Sequence, residues 1–349
     1  MPASRLLLLL VFTLILAACE RDTGREEATE AEAQLQPGPD DPEHTDADTP
    51  PQDAEPIVEV VAELPAAPAA LAVSADDRLF VALQGGTDAD TPPLVEISDG
   101  QALAWPDDKP PENSPPPGDI RALHIDDEGA LWILDAGPRL LRIDLMQNKY
   151  TREIDLTAAF PSENHQPDGL GVDAELGVAY IIDGGQPGLV VLDLYTDEVR
   201  RMLEDTSALQ PASDEPDTRA RMVLSPDLRY LFWQPRGSGD IYRLETEVMQ
   251  FTELPDEELA AMVEHFGDPG PARALGMDPA GLLYIAVDEN AEIVIRRIDH
   301  FGTPSSVNHD TGLSGVTAMG ATRGGDLLLG IRGDGEQPPR LLRLLGATR

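Results

Sequence analysis

From residue 71 onward one pattern recurs six times: an alternating apolar run, a turn rich in Asp and Gly, then a second β-rich run. The copies are LAVSADDRLFVAL (71–83), LHIDDEGALWILD (123–135), LGVDAELGVAYIID (170–183), MVLSPDLRYLFWQ (222–234), LGMDPAGLLYIAV (275–287) and MGATRGGDLLLGI (319–331). Their starts lie 52, 47, 52, 53 and 44 residues apart. Period-two hydrophobicity inside a repeat of that length marks propeller blades rather than a sandwich. Most copies are followed by a third and a fourth strand-like run, but the last has only one, at 340–345, whereas an unpaired run at 57–64 precedes the first. Pairing those two ends closes the ring and leaves no open edge. The expected fold is therefore all-β: one six-bladed β-propeller over residues 56–349, closed by an N-terminal strand. Between the fourth and fifth copies, residues 256–266 read as a short helix with Asp256 as N-cap and Leu259, Met262, Val263 and Phe266 on one face.

The N-terminal residues give a different expectation. Arg5 precedes an apolar run at 6–18, too short for the roughly 20 residues that span a bilayer, so residues 1–18 read as a cleavable signal peptide. Leu16, Ala17, Ala18 and Cys19 resemble the site at which a lipoprotein signal peptidase cuts before an acylated cysteine. Lipidation at Cys19, with palmitate-type chains, implies an extracytoplasmic protein anchored to the bacterial cell membrane or outer membrane. Residues 20–55 hold thirteen acidic and two basic residues, five prolines and almost no large apolar side chains, so 19–55 reads as a lipidated cysteine followed by a disordered linker. Cys19 is the sole cysteine, which rules out internal disulfides. The net charge of −39 excludes nucleic acid as a partner, since phosphates would be repelled.

Four segments, GALWILDAGPRLLRIDL (129–145), VAYIIDGGQPGLVVLDL (178–194), LSPDLRYLFWQPRGSGDIYRLET (224–246) and DEELAAMVEHFGDPGPARALGMDPAGLLYIAV (256–287), resemble the major royal jelly protein and Yellow family. That family sits within the wider gluconolactonase-like six-bladed propellers. The resemblance implies a secreted or cell-surface protein that binds small molecules in its central funnel. Lactonase-like relatives place a metal-binding glutamate where this chain has Pro68, Ala69 and Ala70, a departure that counts against metal-dependent lactone hydrolysis.

Any site should lie where inner strands start and second strands end, because those positions ring one mouth of the channel. Two residues before each copy stand Ala69, Arg121, Asp168, Ala220, Arg273 and Thr317, with Arg219 and Arg221 flanking Ala220. At the other end stand Gln84, Asp135, Asp183, Gln234, Asp288 and Arg332. The candidate ligand-binding residues are Arg121, Asp168, Arg273, Asp135, Asp183, Gln234 and Asp288. Arginine suits a carboxylate or phosphate, which it grips with two parallel donors. Asp168, in Gln-Pro-Asp-Gly, matches the step that supplies a metal ligand in the lactonase-like relatives, making Ca2+ the candidate cofactor. His165 is the one histidine near the expected mouth. Three readings stand side by side: a funnel for a small polar or aromatic ligand, a Ca2+-assisted hydrolase or isomerase, and a cell-envelope scaffold using the proline-rich loop at 106–118.

Overall fold

The computed structural model describes residues 57–86, 91–111, 114–161, 163–213, 218–250, 254–290, 292–307 and 313–346. The expected signal peptide, Cys19 and the acidic linker lie outside the described residues. Within them, the chain forms six four-stranded antiparallel sheets. Strand β1 (Val58–Glu63) comes first. Blade one is β2 (Pro68–Val73), β3 (Leu79–Leu83), β4 (Leu94–Ser98) and β5 (Gln101–Ala104). Blade two is β6 (Ile120–Ile125), β7 (Ala130–Asp135), β8 (Arg139–Asp144) and β9 (Lys149–Asp155); blade three is β10 (Pro167–Asp173), β11 (Val178–Asp183), β12 (Gly188–Asp193) and β13 (Val199–Met202). Blade four is β14 (Arg221–Leu224), β15 (Tyr230–Gln234), β16 (Ile241–Glu245) and β17 (Glu264–Gly267), with the short helix α1 (Asp256–Ala261) inserted before β17. Blade five is β18 (Ala272–Met277), β19 (Leu283–Glu289), β20 (Glu292–Ile298) and β21 (Pro304–Ser306). Blade six is β22 (Val316–Ala321), β23 (Leu327–Ile331) and β24 (Arg340–Leu344), completed by β1.

The expected closure is present. β1 runs antiparallel to β24 from Val58 opposite Leu344 to Glu63 opposite Arg340, with one bulge between Val60 and Ala62. Leu341, fully buried in β24, packs in one cluster with Leu71, Leu79, Val81 and Leu83 of blade one. Closure thus joins the last blade to the first through both a ladder and a core.

One buried polar side chain follows each inner strand: Ser74, Asp126, Asp173, Ser225, Asp278 and Thr322, none more than 6% exposed. Each accepts a backbone N–H within its own turn, from Arg78, Ala130, Leu176, Tyr230, Leu282 and Asp326 respectively. Each cap holds its exposed turn in shape by tying a backbone donor to a side chain anchored in the blade. Inner strands also need small residues where blades converge. A Cβ on Gly169 would lie 2.7 Å from the Met222 Cβ, and one on Gly171 3.0 Å from the Leu224 Cβ.

The helix expected at 256–266 is corrected. Helix α1 ends at Ala261, its N-cap is Pro255 rather than Asp256, and residues 264–267 form β17. The outer edge of β16 offers a ladder that a surface helix does not, and Arg243 faces Glu264 across it at 2.7 Å. Only Leu259 of the expected apolar stripe is buried within the helix.

Leu341→Ala should lower the free energy of unfolding by about 2–5 kcal/mol, read from denaturant titration. A loss below about 1 kcal/mol would show that the seam collapses without cost.

Candidate functional site

Antiparallel pairing fixes which ends of the strands share a face. In every blade the inner strand starts, and the second strand ends, at the mouth; turns from first to second and from third to fourth strand lie on the opposite face. Five of the inner strands carry a bulge two residues into the strand, at Pro68/Ala70, Ile120/Ala122, Pro167/Gly169, Ala272/Ala274 and Val316/Ala318. The extra residues are Ala69, Arg121, Asp168, Arg273 and Thr317. A bulged residue leaves the ladder and its side chain is re-aimed. All five line one of two adjoining cavities on the axis that share Ala69, Arg221 and Thr317. The fourth blade has no such bulge; its ladder starts with Arg221 opposite Gln234, and Ala220 lies just before it.

The inner cavity, about 100 Å³, is bordered by Arg121, Asp168 and Arg221 above a collar of Ala, Gly, Leu and Met. The outer cavity, about 270 Å³, is lined by Arg219, Arg221, Arg273 and Arg332 with Asp288, Gln84 and Thr317. Arg121 pairs with Asp119 at 2.6 Å and Arg273 with Asp288 at 2.5 Å. Arg221 donates to the Arg273 carbonyl at 2.6 Å, while the buried Nε atoms of Arg121 and Arg221 have no hydrogen-bond partner. Burial first, and then Arg219 and Arg273 beside it, pull the Arg221 guanidinium down to about 10. Five guanidinium groups therefore meet three carboxylates, Asp119, Asp168 and Asp288, in a chain whose net charge is −39.

Asp168 is 5% exposed. Its Oδ2 accepts the Ala220 N–H at 3.1 Å and its buried Oδ1 has no partner. Burial raises its carboxyl from an ordinary 3.8 to about 6, against the opposing pull of the Ala220 N–H and of Arg219, Arg221 and Arg121. Gly184 makes room for it, since a Cβ there would sit 2.2 Å from Oδ2. Nothing in the sequence pattern marks Gly184 as part of this site, because the contact joins strand ends that only the register brings together.

The second expected ring divides. Gln84, Asp288 and Arg332 line the outer cavity, each one residue beyond the last one paired to the inner strand. Asp135 and Asp183 stand one place earlier, opposite Ile120 and Pro167, and border neither cavity. Side-chain direction alternates along a strand, so that single step turns them into the blade. Asp135 accepts the N–H groups of Gly118 and Gly137 and pairs with Arg139 at 2.8 Å. Asp183 accepts those of Gln166, Gly185 and Gln186 and pairs with Arg201 at 3.1 Å. Gln234 is likewise buried, donating to the Gly239 and Gly270 carbonyls and accepting the Ala272 N–H. His165 packs on Phe160, ring centroids 5.5 Å apart, and borders neither cavity.

The Asp168 surroundings do not fit Ca2+, which takes six to eight oxygen ligands. One carboxylate faces three guanidinium groups, and the described residues contain no group of three or more His, Cys, Asp or Glu able to hold a metal.

Fold and funnel together define a six-bladed propeller with a charged axial site. A sequence model of the major royal jelly protein family matches residues 120–309, and the chain belongs to that family. No curated protein matches its sequence. Among solved structures it is similar to a virginiamycin B lyase from Staphylococcus aureus, at 16% identity over 79% of this chain and 82% of that one, TM-score 0.51. A protein of unknown function from Bacteroides thetaiotaomicron aligns at 11% identity over 82% and 74%, TM-score 0.60. A calcium-binding regucalcin from Agrobacterium tumefaciens aligns at 13% over 84% and 93%, TM-score 0.55. These likenesses share the propeller fold.

Asp168 holds its proton more tightly folded than unfolded, so the stability it contributes is fully present below pH 3.8 and is lost as pH rises through about 6. Asp168→Asn should flatten that part of the stability–pH curve, a difference on the order of 3 kcal/mol between its ends. Equal slopes for the two proteins would place the titration elsewhere.

Proposed function

We propose that the protein is a lipid-anchored, extracytoplasmic propeller that holds a small organic anion at the mouth of its central channel. One observation carries this reading: four arginines line the 270 Å³ outer cavity against a single aspartate, in a chain rich in acid. The volume lies just under the usual range for small-molecule pockets, roughly 300–1,000 Å³. A guanidinium group meets a carboxylate or phosphoryl oxygen with two parallel donors, the geometry that an arginine-lined cavity offers. Among the described residues no aromatic side chain lines either cavity, which favours a polar ligand over an aromatic one.

The hydrolase reading draws on the lactonase-like kinship and the calcium-binding neighbour, but the arginine-dominated donor set weighs against a cation there. The scaffold reading fares no better. Arg139 fastens the proline-rich loop to blade two through the Pro115 and Pro116 carbonyls and the Ser114 hydroxyl. Anchoring rests on the sequence at 6–19, and its location in the cell rests on the same residues.

Calorimetric titration with citrate and with sulfate should give saturable binding that Arg221→Gln and Arg273→Gln each weaken about tenfold or more. Unchanged affinity in both variants, or equal binding of a polyamine, would remove the funnel as an anion site. For the anchor, Cys19→Ala should move the expressed chain from the membrane to the soluble or unprocessed fraction, and the mass of the wild-type N-terminal peptide should carry acyl chains. A wild-type chain that is soluble and unacylated would refute anchoring.

A further inference from the structure

Among the described residues, the three most exposed large apolar side chains lie on the face opposite the mouth. Met146, Phe301 and Tyr195 are 95%, 91% and 74% exposed. They occupy the same place in three blades, the turn between the third and fourth strands: β8–β9, β20–β21 and β12–β13. Each turn is built around an aspartate at its start. Asp144 accepts the Gln147 N–H, Asp193 those of Tyr195 and Thr196, and Asp299 those of Phe301 and Thr303. The turns are therefore held in shape by hydrogen bonds that do not involve the tip side chains; none of the three belongs to an apolar core cluster, and the Tyr195 ring lies against Gly177 of the neighbouring turn. Leu176, half-exposed, stands on the β10–β11 turn of the same face.

The closing strand gives this face a second property. Because β1 is antiparallel to β24, it begins on the face opposite the mouth, where the Leu345 N–H bonds the Ile57 carbonyl at 3.0 Å. The segment that leads back to Cys19 thus joins the propeller on the same face as these tips, and Ile57 itself is exposed.

From this juxtaposition we infer that Met146, Tyr195 and Phe301 dip into the membrane that carries the anchor, so that the propeller rests on the lipid with its funnel turned away. The inference rests on the anchoring reading. A tether turns weak insertion into an intramolecular event at millimolar effective concentration, so a few apolar tips suffice where a free protein would need more. Burying one such side chain favours the lipid-bound state about tenfold or more. Asp127, Glu128 and Glu175 stand on first-to-second turns of the same face and Asp197 on the turn of Tyr195, so a zwitterionic surface suits this face better than an anionic one, which would repel them.

The sole native cysteine is the one that acylation consumes, which leaves an introduced cysteine as a unique labelling position. The acylated full chain carrying Met146→Cys, Tyr195→Cys or Phe301→Cys, labelled with a polarity-sensitive dye, is reconstituted into phosphatidylcholine vesicles. Glu336→Cys, on the mouth side between β23 and β24, serves as the control. The expected result is blue-shifted emission and protection from aqueous quencher at the three tips but not at 336, with the shift reduced when phosphatidylglycerol is added. Aqueous emission at all four positions on vesicle-bound protein overturns the inference and leaves anchoring intact. If the mass of the N-terminal peptide shows the chain unacylated, anchoring has failed and the inference, which rests on it, falls with it.

Discussion

The pairing of β1 with β24 is the interaction on which the rest of the molecule depends. It joins the two ends of the propeller, and without it β24 would be an open edge and blade six would have three strands. An axial channel exists only if all six blades point at one line, and that convergence is enforced when the last blade is locked to the first through Leu341. The same pairing has a geometric corollary: the polypeptide enters at one face of the disc while the arginine-lined mouth opens at the other.

The chemistry of the mouth follows from a contrast of scales. Over distances beyond about 8–10 Å, salt screens the field of the whole acidic protein. Inside the funnel the local groups prevail, and there arginine outnumbers aspartate. Rim pairs such as Arg273 with Asp288 are solvated and cheap to rearrange, so an incoming anion can replace a carboxylate partner at little cost. Asp168 is different. It is buried, tied by one oxygen to the next blade through Ala220, and set among three guanidinium groups, so it fixes the deep end of the site while the rim adapts.

Much of this was legible in the residues. Alternation and a period near fifty were enough for six blades and for closure, because both follow from where apolar side chains must go. Counting back two positions from each copy found Ala69, Arg121, Asp168, Arg273 and Thr317, all of which prove to be bulged residues on the axis, but in the unbulged fourth blade it landed on the buried Ala220, one short of the axial Arg221. The far end of the second strand was harder to read. Asp135 and Asp183 look equivalent to Asp288, but they pair with the first residue of the inner strand, as Val287 does in blade five, whereas Asp288 stands one residue beyond that pair; the bulge is the same in all three blades, and which residue closes the ladder is not written in composition. Residues 256–266 misled for a related reason: helical spacing is a local property, whereas the vacant edge of β16 that claims 264–267 is not.

The bulges have an evolutionary side. An amino acid that takes no part in the ladder can be exchanged without breaking a backbone hydrogen bond, so the axial positions are released from the demands that hold the blades. Mutation can then rewrite the funnel while leaving the disc unchanged. In this chain the five bulged positions spell Ala, Arg, Asp, Arg, Thr, while the unbulged fourth blade sends Arg221 to the axis. Another member of the family that spells a different word at those places would keep the same architecture and accept a different guest.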